Sequence, residues 1–221
     1  MIQTSTLGFL KKLKKNNDKS WFDAHRDDYE AAKKDMEAFT QAVLDRFGAK
    51  EPDIRDLTAK NCLFRINRDV RFSKNKAPYK TNLAASMGRG GKKSIFAGYY
   101  IHIEPGSSFV GGGIWMPMAP ELKKIRQEID YCFEEFDQLI TGKKFKSVYK
   151  GLDREEGFSL SKVPQGFDKD NPAAEYLKLK SWIASRELSE AEVSSPKFLK
   201  QTVDAFEALQ PLVQFINMSL E

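Results

Sequence analysis

The residues best equipped to do chemistry crowd into one stretch, Phe64 to Asn82, FRINRDVRFSKNKAPYKTN. It carries Arg65, Arg68, Arg71, Lys74, Lys76 and Lys80 against a single acid, Asp69. An arginine offers a planar fork that matches carboxylate or phosphate, and a lysine a compact point charge. A run this basic would read as a solvated tail, yet Phe64, Ile66, Val70, Phe72 and Tyr79 are threaded through it. Cations fixed on an ordered, half-buried scaffold suit recognition of an anion. The alternation predicts a strand from Cys62 to Phe72. Phe64, Ile66, Val70 and Phe72 then share a face with Arg68, and Arg65, Asn67, Asp69 and Arg71 share the other at a repeat of roughly 7 Å. Asp69, flanked by cations, is favoured in its ionised form and would orient the arginine forks or act as a base. A structural ion-pair ladder on a sheet face accounts for the same residues equally well.

Further along, Ala77 before Pro78 is pushed to extended geometry, so Lys76 and Lys80 bracket a stiff Pro78-Tyr79 element. A second constellation is Tyr100, His102 and Glu104, which alternation places on one strand face. A His/Glu pair two residues apart can do acid–base work or supply two metal ligands. His25 is the other histidine of the chain, on the apolar side of a helix, where it reads as packing; no metal centre is expected. The anion contacts are therefore Arg65, Arg68, Arg71, Lys76 and Lys80 with Tyr100, and the candidate catalytic groups are Asp69 and His102. No motif points to a particular cofactor. GRGGKKS (Gly88–Ser94) fails as a phosphate-binding loop, since Ser86 stands where the first glycine belongs and Lys93 where Ser or Thr belongs. It reads as a mobile basic turn. Gly111-Gly112-Gly113 marks a bulge or a close backbone approach, by a ligand or by a packed aromatic such as Trp115.

Something must position these groups. Phe9, Leu10 and Leu13 mark a first helix stopped by Asn16-Asn17-Asp18. A second runs from about Ser20, with Phe22, His25, Tyr29, Ala32, Met36, Phe39, Val43 and Phe47 at helical spacing, to Gly48. Strands are expected at Lys80–Met87, and at Phe96–Glu104 and Ser107–Trp115 as a hairpin around Pro105-Gly106. A helix from Ala119 ends near Gly142, residues 143–170 read as irregular with a short strand at Phe158–Lys162, and Asn171-Pro172 opens a short helix. Trp182–Arg186 reads as a strand. Ser195-Pro196 caps a last helix that Pro211 should kink. The whole, 1–221, reads as a single α+β domain: a mostly antiparallel central sheet packed with N- and C-terminal helices.

Net charge is +5, but Lys60 to Lys93 alone sums to +9, leaving −4 for the remainder. A localised patch fits a small phosphate- or carboxylate-bearing ligand better than a track along nucleic acid. Nucleic-acid binding, with Phe72 and Tyr79 as stacking groups, is the alternative, and a non-catalytic protein-interaction module a third. No apolar run approaches the ~20 residues of a membrane span, and the first residues lack the apolar core of a signal peptide, so a cytoplasmic protein without membrane contacts is expected. Cys62 and Cys132, widely spaced among apolar residues, read as buried free thiols.

The motif FRINRDVRFSKNKAPYKTN, with YYIHIEPGSSFVGGGIWMP (Tyr99–Pro117), KVPQGFDKDNPAAEYLKLKSW (Lys162–Trp182) and WFDAHRDDYEAAK (Trp21–Lys33), resembles the family catalogued as domain of unknown function 2461. The resemblance spans nearly the whole chain and implies one intact family domain, without implying a reaction. Asn75 departs from the acid that precedes the lysine in relatives, which argues for a turn-forming role at that position.

Overall fold

The computed structural model describes residues 1–154 and 157–221. Its helices are α1 (Thr4–Lys15), α2 (Lys19–Ala24), α3 (Arg26–Phe47), α4 (Ala59–Cys62), α5 (Ala119–Tyr131), α6 (Phe133–Thr141), α7 (Lys143–Tyr149), α8 (Ala174–Leu177), α9 (Glu190–Val193) and α10 (Phe198–Leu220). Its strands β1 (Leu83–Gly88), β2 (Gly98–Ile103), β3 (Ser108–Ile114) and β4 (Trp182–Leu188) form one antiparallel sheet in that order. The fold is α+β.

Local chemistry sets most boundaries. Asp18 accepts a hydrogen bond from the Trp21 amide and caps α2. The long helix expected from Ser20 to Gly48 is broken at His25, whose φ of −117° and ψ of 26° leave the helical region and whose Nδ1 lies 2.8 Å from the Trp21 carbonyl. The helix after Ala119 breaks likewise at Cys132. In the hairpin, Ser107 N donates to Glu104 O, with Pro105 and then Gly106 at φ 84° in between, the residue pair a type II turn requires. Ser189 and Glu192 form a capping box that starts α9.

Two expectations need correction. Residues 143–170 contain α7, in which Phe145 and Tyr149 bury themselves one turn apart; that i, i+4 pair behind Gly142 was the available signal. Positions 155 and 156 of that stretch lie outside the described residues, and Phe158–Lys162 contributes one bridge, Ser159 to Leu179. More important, Cys62–Phe72 is not a strand. After α4 it makes only single bridges, Leu63 to Ala85 and Asn67 to Tyr79. Four steps on one side face six on the other, so the register breaks by two residues at Lys80-Thr81-Asn82. Beyond Asn67 the ladder dissolves, because Asp69 accepts the Arg71 amide, Asn75 accepts the Ala77 amide and Pro78 has no amide to give. The two-face alternation fails with it: Ile66 is buried, whereas Phe64 is 37% and Phe72 97% exposed.

The chain divides into two compact units, one of Met1–Lys92, Tyr100–Val110 and Glu187–Asp204, the other of Lys93–Tyr99, Gly111–Arg186 and Ala205–Glu221. In the first, Phe22 stacks on Tyr79 at 3.9 Å and packs edge-on against Phe9, while Phe39 stacks on Phe198 at 4.6 Å. In the second, Trp182, Phe136 and Phe215 are buried, and Tyr149 donates from its hydroxyl to the Ala205 carbonyl. Asn217 there holds both backbone groups of Ala97.

The glycine run belongs to this second core. A Cβ at Gly111 would overlap the Ala184 carbonyl, one at Gly112 the Gly98 carbonyl, and one at Gly113, with φ 113°, the Trp182 carbonyl. Close approach of flanking backbone, rather than of a ligand, explains all three. Gly113→Ala should therefore cost about 2 kcal/mol or more, against about 1 kcal/mol for Gly106→Ala, which meets open space. Urea unfolding of both variants measures the difference, and equal losses would contradict the close-approach account.

Candidate functional site

Within the first unit, the register break aims three consecutive side chains at one sheet face. Thr81 donates to Glu104 Oε1 at 2.6 Å, the Asn82 amide lies against the His102 ring, and the Lys80 ammonium sits 5.4 Å from the Phe64 ring centroid. On β2, Tyr99, Ile101 and Ile103 point into the core, so Tyr100, His102 and Glu104 occupy the other face together. His102 Nε2 is 3.1 Å from Glu104 Oε2, and the two side chains are only 13% and 18% exposed. Asn82 Nδ2 lies 3.3 Å from Nδ1 and 3.1 Å from Nε2, so the amide sits over the imidazole face while Nε2 meets the Glu104 carboxylate. Phe109 stacks on the imidazole at 4.8 Å, Tyr100 packs against Phe109, and Phe64 lies 6.2 Å from Tyr100. The result is a tier of four rings bordered by Lys80.

Electrostatics distinguish two groups of cations. Arg65 and Lys80 have no carboxylate hydrogen-bonded to them among the described residues. Burial and then the Arg65 charge push the Lys80 ammonium below its ordinary value. The Tyr100 hydroxyl, lifted by burial, also has no hydrogen-bond partner there.

The other predicted residues are occupied with the loop itself. Arg68 donates to the Ala77 carbonyl at 3.0 Å and to Ser73 Oγ at 3.4 Å. Lys76 Nζ donates to the Val70 carbonyl at 3.0 Å and, more weakly, to that of Arg71. Arg71 forms a two-pronged pair with Asp69, at 3.0 and 2.7 Å, which holds the Asp69 carboxyl below the usual range. Asp69 is thus the anchor of one exposed arginine. Tyr100 and His102 share the β2 face beside Phe64 and Lys80, Arg65 acts on both Lys80 and the Asp69 carboxyl, and Arg68, Asp69, Arg71 and Lys76 brace the loop.

Thr81 and Asn82 are the site residues that sequence reasoning did not single out. They follow Lys80 directly in the motif, but the two-residue slip that turns them toward β2 has no local signature. Tyr79, expected to stack on a base, is buried on Phe22 instead. The glycine-rich turn is pinned as well: Arg89 pairs with Asp53 at 3.0 Å and Lys92 donates to the Leu63 carbonyl at 2.6 Å. Cys62 beneath it is buried, and its thiol is pushed up to about 11. Among the described residues, no group of three or more His, Cys, Asp and Glu side chains is placed to hold a metal ion. No helix is long and apolar enough to cross a membrane.

Glu104 provides a pH test. Burial alone would raise its carboxyl, but the hydrogen bonds from Thr81 and His102 outweigh this and hold it below its ordinary value. A depressed carboxyl stabilises the fold above its unfolded pKa, and that contribution is lost as pH falls through the folded one. Urea unfolding from pH 7 to 3 should show a steeper loss below the ordinary carboxylate range in the native chain than in Glu104→Gln. Matching slopes would contradict the arrangement.

No curated protein and no solved structure matches the chain in comparison. A family model does match, that of the conserved hypothetical protein family DUF2461, over residues 5–215. The match takes in the basic motif, the β2 face and the glycine run, and the chain belongs to that family.

Proposed function

We propose that this protein binds a small phosphate- or carboxylate-bearing ligand on the face where Lys80 meets β2. One observation carries the reading: burial and then the Arg65 charge depress the Lys80 ammonium, and neither cation has a carboxylate hydrogen-bonded to it among the described residues. A half-buried lysine beside an exposed arginine is stabilised by an anion that the fold does not supply. The unpartnered Tyr100 hydroxyl adds a neutral donor on the β2 face. His102 completes the site as the acid–base candidate, with the Glu104 carboxylate beside Nε2 and the Asn82 amide over the ring. Asp69 enters as an indirect contributor, holding Arg71 and the brace. The ligand contacts reduce to Arg65, Lys80 and Tyr100, while Arg68, Arg71 and Lys76 shape the loop that carries Arg65.

A second reading, nucleic-acid binding, is favoured by a different observation: the basic loop ends in Phe72, almost wholly exposed.

Isothermal titration with inorganic phosphate, pyrophosphate and citrate tests the first reading. Arg65→Ala and Lys80→Ala should each weaken the tightest of these by about tenfold or more, the cost of one charge-assisted hydrogen bond of roughly 1.5–3 kcal/mol. Thermal midpoints should stay near the native value. Unchanged affinity in both variants, or no binding of any of the three anions, contradicts the proposal.

A further inference from the structure

We propose that Phe72 is a preformed stacking anchor for an unpaired base of single-stranded nucleic acid. The inference rests on the second reading above and is independent of the small-anion site. Phe72 is 97% exposed, more than any other large apolar side chain among the described residues. An exposed phenylalanine on a slack loop would fold back onto apolar neighbours and lower its contact with water. This one is denied that option by the loop beneath it. Arg68 ties the outgoing arm of the loop to Ala77 and Ser73, and Lys76 gathers the Val70 and Arg71 carbonyls under the tip. Asn75 holds the Ala77 amide, and Asn17 holds both backbone groups of Tyr79 where the loop returns. The polar side chains of the loop fix the backbone on either side of Phe72 and leave the ring outside. Ordering of the ring's backbone, a cost that weakens binding by flexible segments, is already met before a partner arrives.

The surroundings decide which partner fits. The Arg71 guanidinium lies 5.9 Å from the Phe72 ring centroid, on one side of it. Lys74 is exposed two residues on. An apolar protein partner would have to desolvate these cations. A π-face flanked by cations suits a base on the ring with phosphates alongside, and base–aromatic stacking is worth enough to matter from a single ring. Duplex presents no free base face, so the anchor selects unpaired strands.

The test is fluorescence anisotropy of the full chain with a labelled oligothymidylate and with duplex of equal length, at several salt concentrations. The native protein should bind the single strand more tightly. Phe72→Ala should weaken that binding on the order of tenfold and Phe72→Trp should preserve it, with thermal midpoints nearly unchanged in both because the ring is 97% exposed and meets an exposed arginine. Lys74→Ala should lower the salt slope by about one without changing base preference. Oligonucleotide binding that ignores Phe72→Ala overturns the anchor while leaving nucleic-acid binding intact. Equal affinity for duplex also overturns it, and so does binding of neither nucleic acid. None of these results bears on phosphate or citrate titration at Arg65 and Lys80, so the two proposals fail separately.

Discussion

The interaction on which the basic motif depends is a single side chain gripping a distant backbone. Asn17, just past the end of α1, accepts the Tyr79 amide and donates to the Tyr79 carbonyl, both at 3.0 Å, across 62 residues of sequence. The Tyr79 ring then lies flat on Phe22. Together these fasten the returning arm of the loop to the helical layer of the first unit. Once Tyr79 is fixed, Arg68 can bond the Pro78 carbonyl, and Lys80 the Ile66 carbonyl, through their amides. The register slip that follows has only two residues in which to rejoin β1. Lys80, Thr81 and Asn82 are aimed by that constraint.

The same constraint separates cations by role. A cation within reach of backbone carbonyls or a carboxylate satisfies itself and stiffens the chain, as Arg68, Lys76 and Arg71 do. Arg65 and Lys80 make no hydrogen bond to a carboxylate among the described residues. Both kinds stand in one run of sequence and are chemically alike. Their division of labour comes from geometry over a few ångströms, where charge-assisted hydrogen bonds are strong and exposed ion pairs weak. The His102–Glu104 pair shows the complementary case: most of its hydrogen-bonding capacity is met inside the fold, which screens the ring from water.

How much of this was legible in the sequence depended on whether the determining signal was local. Phe9, Leu10 and Leu13 announced α1, Pro105-Gly106 announced the hairpin, and the alternation of Tyr99 to Glu104 placed Tyr100, His102 and Glu104 on one face, where they stand. Gly111–Gly113 announced a close approach, whose partner proved to be neighbouring backbone. Period-two alternation from Phe64 to Phe72 misled, because Asp69 and Asn75 offered the backbone local hydrogen bonds that a ladder could not match, and Pro78 withheld a donor. Tyr79 misled for another reason, since its burial depends on Phe22, far away in sequence. Thr81 and Asn82 were beyond reach because a register break is a property of two strands and neither one's sequence contains it.

The central claim is that residues 64–80 form a braced, preformed loop rather than a solvated basic coil. Amide hydrogen exchange reads this directly at Arg68, Ala77, Tyr79 and Lys80, whose amides donate within the loop or to Asn17. The account predicts that all four are protected in the native chain, and that Asn17→Ala releases Tyr79 first while β2 and β3 stay protected. Exchange at unfolded-chain rates for these four amides, in a protein whose helices and sheet remain protected, would contradict it.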